Sequence, residues 1–116
     1  MIKIRKARKN DFMNSLLIAR SLKEWFTKDA INNMKIDFSL NNLIVAYDKN
    51  KVVGFLCYSS EQGVIKILWT GVKRECHRSG VGSFLLNYLL KKVRIMKSKS
   101  IEVKTLTEEE NYKPYE

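Results

Sequence analysis

With 116 residues the chain has room for one globular domain, so 1–116 reads as a single unit, and 45% apolar residues with a single Pro exclude a disordered tail. No apolar run approaches the ~20 residues of a membrane helix, and the basic N-terminus leads into no apolar signal region, so a cytoplasmic protein with no membrane partner is expected. A formal charge of +10 draws anions at long range, which leaves nucleic acid, anionic lipid and a phosphorylated cofactor as partner classes.

In chain order, Ile2 and Ile4 alternate with Lys3 and Arg5, the period of two of a short half-exposed strand. Asn10 or Asp11 offers a helix cap, and Phe12, Leu16, Ala19 and Leu22 recur at helical spacing, which predicts an amphipathic helix over 11–22. A second helix is expected over 24–34. Leu43 to Tyr47 and Val52 to Tyr58 are β-rich runs joined by Asp48-Lys49-Asn50-Lys51, turn chemistry that predicts an antiparallel hairpin. Ser59 to Gly63 makes a second turn into a strand over 64–72, with Gly71 near its end as the place for a bulge or a close backbone approach. Beyond Val72 a polar stretch leads to Gly80 and Gly82 and then to a dense apolar helix from Phe84 to Met96. Ile101 to Leu106 alternates as a strand that can return parallel to 64–72 through a right-handed crossover.

The strand, glycine loop and helix are where chemistry is expected. Amides at a helix N-terminus lack intrahelical acceptors and sit at the positive end of the helix dipole, which makes them an anion site that Gly80 and Gly82 leave open to a phosphate. No acidic residue occurs between Glu75 and Glu102, and Arg78 stands in the loop. A dinucleotide fingerprint needs a third Gly where Leu85 stands, and a phosphate loop of the Walker type needs Gly-Lys followed by Ser or Thr; both are absent. Cys57 and Cys76 have no zinc-site spacing and a lone His cannot complete one, so two reduced thiols and no metal are expected.

His77-Arg78-Ser79-Gly80-Val81-Gly82 resembles the Gln/Arg-x-x-Gly-x-Gly/Ala acetyl-CoA signature of the GNAT acetyltransferase family, with His77 in the Gln/Arg position. Trp69-Thr70-Gly71-Val72 is similar to the strand end before that signature, and the helix from Phe84 follows as in the family. The resemblance implies an α/β fold with a mixed, mainly antiparallel sheet and helices on both faces, opening as a V between the strand 64–72 and the strand 101–106. It implies that the segment Arg78, Ser79, Gly80, Val81, Gly82 and Ser83 holds the CoA pyrophosphate. The backbone of Thr70, Gly71 and Val72 is then expected to hydrogen-bond the pantetheine arm and the acetyl carbonyl.

The expected function is transfer of an acetyl group from acetyl-CoA to a primary amine, of a small molecule or a protein, by direct attack in a ternary complex. Its alternatives are a CoA-binding remnant or subunit without independent catalysis and, with only net charge behind it, a basic nucleic-acid-binding domain. Members of the family often use a Glu on the strand before the loop as general base, and the position corresponding to it in one branch is Lys66 here, a cation unsuited to that role; the resemblance also implies a further helix and two strands that this sequence does not include. Tyr112, Tyr115 and Glu75 stand as candidates for acid or base, with Glu61 able to act through water. Trp25, Phe26 and Trp69 are read as packing residues, with an acceptor pocket as the alternative; His77 is counted with the cofactor-binding segment, as a solvated loop residue in the signature or as an aid to phosphate binding. With the family's last strands missing, 101–106 is expected to be an exposed edge that pairs two copies into a homodimer.

Overall fold

A computed structural model describes residues 1–96 and 100–103. The elements follow as β1 (Lys3–Lys6), α1 (Lys9–Ser21), α2 (Lys28–Leu40), β2 (Asn42–Asp48), β3 (Lys51–Glu61), β4 (Val64–Val72), a 3₁₀ turn (Arg74–Cys76), α3 (Val81–Met96) and β5 (Ser100–Val103). One sheet runs in the order β1-β2-β3-β4-β5, antiparallel except for β4 with β5. The expected strand over 64–72 and its parallel return are both present; residues 104–106 of the predicted last strand lie outside the described residues.

Two hairpins drive this order. Lys49 and Asn50 have φ of 50° and 67°, and Gln62 and Gly63 have 52° and 79°. Two left-handed residues in a row are the geometry whose twist matches that of the flanking strands. The second turn is therefore tighter than the expected 59–63, because β3 runs on to Glu61 before reversing.

Alternation along the strands feeds two cores. Leu43, Val45, Phe55 and Cys57 face α1 and α2, packing on Leu16, Met34 and Phe38. Ile44, Leu56, Ile65 and Ile67 face α3 and its Val81, Leu85 and Leu89. Helices thus cover both faces, as the resemblance implied.

Helix starts differ from those predicted. Helix α1 begins at Lys9 because Asp11 acts from inside the first turn, its Oδ2 accepting the Arg8 amide at 2.6 Å. Helix α2 begins at Lys28, where Thr27 Oγ1 accepts the Ala30 amide at 3.1 Å, and runs to Leu40 rather than over 24–34. Trp25 and Phe26 fall in the connection between the helices.

Asp11 is buried at 4% exposure and also takes the Arg5 guanidinium, with Arg5 Nη2 to Oδ1 at 3.3 Å, which ties α1 to β1. Burial pushes the Asp11 carboxyl up, but the bonds from Arg5 and the Arg8 amide outweigh it and hold it below 3.8. A carboxyl depressed in the folded state stabilises above its unfolded value, near 4, and loses that contribution as pH falls through the lower folded value. Asp11→Asn is expected to cost about 2–3 kcal/mol at neutral pH, less than a fully buried pair because Arg5 is partly exposed. Urea midpoints of both proteins at pH 7 and pH 3 check this: the gap should narrow in acid.

Candidate active site

The chemistry gathers where β4 ends and α3 begins. The register passes from Cys57 opposite Trp69 to Tyr58 opposite Ile67, leaving Leu68 as a bulge residue. The bulge lies three residues before Gly71, where it was expected. Gly71 serves instead as a close approach: a Cβ there would lie 2.7 Å from Phe55 Cε1. β5 pairs with Val64–Ile67 and, among the described residues, no strand covers that edge of β4 from Leu68 onward.

The orientation of that edge follows from one bond. Lys73 N donates to Val53 O at 2.8 Å, so the alternation of antiparallel ladders turns Gly71 toward β3 and the N–H and C=O of Thr70 and Val72 toward the open side. The Thr70 side chain is spent on the sheet, donating from Oγ1 to Phe55 O at 3.1 Å.

The loop after β4 folds into a row of donors. Arg78 and Gly80 take φ of 71° and 82°, and Gly80 O accepts the first helical bond from Phe84 N at 3.0 Å, so Gly80 caps α3. Among the described residues the amides of Arg78, Gly80, Val81, Gly82 and Ser83 have no backbone acceptor. Ser79 is the exception within the expected segment, because its amide bonds Cys76 O at 3.2 Å. A Cβ on Gly82 would meet nothing within 4 Å, so the space over these amides is open, and no acidic residue stands in the first turn of α3. Five free amides, an open approach and no opposing charge fit a pyrophosphate.

Gly54, which gave no signal in the sequence, and His77, which is part of the signature but has a different role from the one expected, hold this corner in place. Gly54 of β3 faces α3, where a Cβ would lie 2.8 Å from Val81 Cγ1 and 3.2 Å from Gly71 O; the missing side chain lets the helix N-terminus close on the sheet. His77 is not a solvated loop residue: it is half-buried, its Nε2 donates to Val72 O at 2.8 Å, and its ring lies 5.8 Å from the Trp25 ring. Arg74 fastens the preceding turn, pairing with Glu24 and lying over Trp25 at 6.0 Å.

Other candidates are placed as follows. Glu75 and Glu61 are exposed, and Lys66 projects exposed from the face of β4 opposite Ile65 and Ile67. Tyr112 and Tyr115 lie outside the described residues. Phe26 is core at 4% exposure, and Trp25 and Trp69 pack half-buried against the same cluster. Both cysteines are free, and burial, then the charge of Asp37, pushes the Cys57 thiol up to about 12, which removes it as a nucleophile. Among the described residues no group of three or more His, Cys, Asp or Glu could hold a metal, and no helix is long and apolar enough to cross a membrane. A separate groove of about 460 Å³ between α3 and β1, lined by Ile4, Tyr88 and Lys91, holds none of these donors.

Gly54→Ala is expected to force α3 off the sheet at a cost of about 1–3 kcal/mol. Chemical denaturation checks it, and the predicted loss exceeds that of Gly82→Ala, which enters open space.

The comparisons agree with this geometry. The model of the acetyltransferase (GNAT) family matches residues 9–113. A GNAT family acetyltransferase from Brucella melitensis, solved in complex with acetyl-CoA, superposes with a TM-score of 0.75 at 17% identity, over 89% of this chain and 75% of that one. Ard1 from Thermoplasma volcanium gives 0.72 at 27% identity, over 91% and 72%. The PaiA N-acetyltransferase from Thermoplasma acidophilum, in complex with coenzyme A, gives 0.74 at 17%, over 95% and 82%. No curated protein matches the sequence. With the signature loop at the head of α3 and a family match running over almost its whole length, the chain belongs to the GNAT family of acetyltransferases.

Proposed function

We propose that residues 1–116 form one acetyltransferase domain that binds acetyl-CoA across the end of β4 and the head of α3 and passes its acetyl group to a primary amine. Among the described residues the row of amides at Arg78, Gly80, Val81, Gly82 and Ser83 has no backbone acceptor and no strand covers the edge at Thr70 and Val72, and the row of amides carries this reading. Acetyl-CoA supplies the activated acetyl thioester as a substrate.

In this reading the loop amides bind the pyrophosphate, with Arg78 adding charge. The outward groups of Thr70 and Val72 align the pantetheine arm, as an added strand would be aligned. His77 keeps the loop seated against Val72, so the donors are in place before the ligand arrives. The Thr70 amide, turned outward at the end of the arm away from the pyrophosphate, stabilises the oxyanion as the amine attacks the thioester carbon. The C–N bond forms and the C–S bond breaks; the nitrogen sheds one proton to water and the thiolate takes one up from water. Positioning supplies most of the rate.

Calorimetry with acetyl-CoA tests the cradle. Gly82→Glu should abolish binding while leaving the melting curve unchanged, because it sets a carboxylate among the donors without touching packed atoms. Unchanged affinity in the folded variant would remove the loop from the site. Among the described residues β5 pairs on one edge alone, with β4, and a homodimer through its other edge belongs to the proposal. Light scattering at tens of micromolar should then give twice the chain mass; a stable monomer would contradict it.

A further inference from the structure

Asp37, near the end of α2, stands out because of what it lacks. Among the described residues the other buried or half-buried carboxylates are Asp11 and Asp48, paired with Arg5 and with the N-terminal ammonium. Asp37 is half-buried and has no cation partner among the described residues, in a chain of net charge +10. A partly desolvated carboxylate without a counter-charge is a standing cost, which a cationic ligand would relieve.

Its position is fixed by one bond. Trp69 Nε1 donates to Asp37 Oδ2 at 2.6 Å, across 32 residues of chain, while among the described residues Oδ1 has no donor. Trp69 is the residue after the bulge and directly precedes Thr70. It lies on the α1 and α2 face with its ring 6.3 Å from that of Phe26, and Phe26 in turn lies over Gly71, 3.6 Å from where a Cβ would stand. The open stretch of β4 therefore has, on one face, an aromatic wall ending in an uncompensated carboxylate. That combination suits an ammonium group. Lys66, the position where the family's base is expected, projects from the same face of β4 and cannot offer this charge.

We propose that Asp37 is the acceptor-side anchor of the site: its carboxylate receives the protonated amine of the acceptor beside Trp69 and sets a preference for cationic acceptors. This rests on the acetyl-transfer reading above. Asp37 takes no covalent part; the bound ammonium gives its proton to water before the amine attacks. The Trp69 bond serves to hold the carboxylate at the bulge.

The Trp69 indole N–H is a direct reporter, since it bonds the same carboxylate. In ¹H–¹⁵N spectra, with Trp69→Phe identifying its peak against that of Trp25, the wild type is titrated with butylammonium, lysinamide and a tripeptide with a free N-terminus. The isosteric alcohol butanol serves as the neutral control. The expected result is a saturable shift with at least one ammonium probe and none with butanol. Asp37→Asn keeps an oxygen for the indole and loses the charge, so the same probe should bind about tenfold more weakly. Acetyl-CoA affinity should be unchanged. An indole peak that ignores all three ammonium probes, or one that responds equally in Asp37→Asn, overturns the proposal and leaves Asp37 as a tether between α2 and β4. Loss of acetyl-CoA binding by the wild type would instead strike the acetyl-transfer reading, without moving the amine titration.

Discussion

The site depends on how closely the head of α3 approaches β3. Val81 is buried at 1% exposure against Gly54, and the space between them has no room for one more carbon. That contact sets the first helical amides beside the end of β4, so that donors from a helix and donors from a strand edge share one corner. Neither set would suffice alone. A helix N-terminus is a general anion site, and an unpaired strand edge accepts any extended chain. Together they suit the proposed ligand, which has a phosphate at one end and an amide-bearing arm at the other.

The bulge at Leu68 is the second constraint. By inserting one residue it turns Trp69 onto the face of α1 and α2, directly after Ile67, the last residue that pairs with β5 among the described residues. The Asp37–Trp69 bond is thereby brought to the stretch of β4 that no described strand covers. His77 closes the arrangement from the other side by spending its ring nitrogen on Val72 O. The rigid parts of the site are thus held by contacts that involve no ligand, which is the condition for preorganised donors.

Local patterns carried much of this fold. The hairpin at Lys49-Asn50, the strand 64–72 and the glycine loop all have signals within a few residues, and the order of elements was readable from them. Helix α2 was misplaced because Trp25 and Phe26 extend an apolar periodicity backward through Thr27, whose side chain stops it. The bulge position was not legible: Ile65 to Trp69 is a continuous β-rich run, and which residue is left over depends on the β3 register. Gly54 gave no signal because its role is an approach by a helix 27 residues later in sequence, at Val81. Asp37 was silent for the same reason, its partner being brought to it only by the packing of α2 on the sheet.

The central claim is that the free amides at the head of α3, with the outward groups of Thr70 and Val72, hold acetyl-CoA. Amide-resolved ¹H–¹⁵N spectra during an acetyl-CoA titration test it most directly. The account predicts that Arg78, Gly80, Val81, Gly82, Ser83 and Val72 shift together on one binding curve, with Ser79 following less because its amide is already bonded within the loop. Shifts confined to the groove at Ile4, Tyr88 and Lys91, with the loop amides unmoved at saturation, would contradict it.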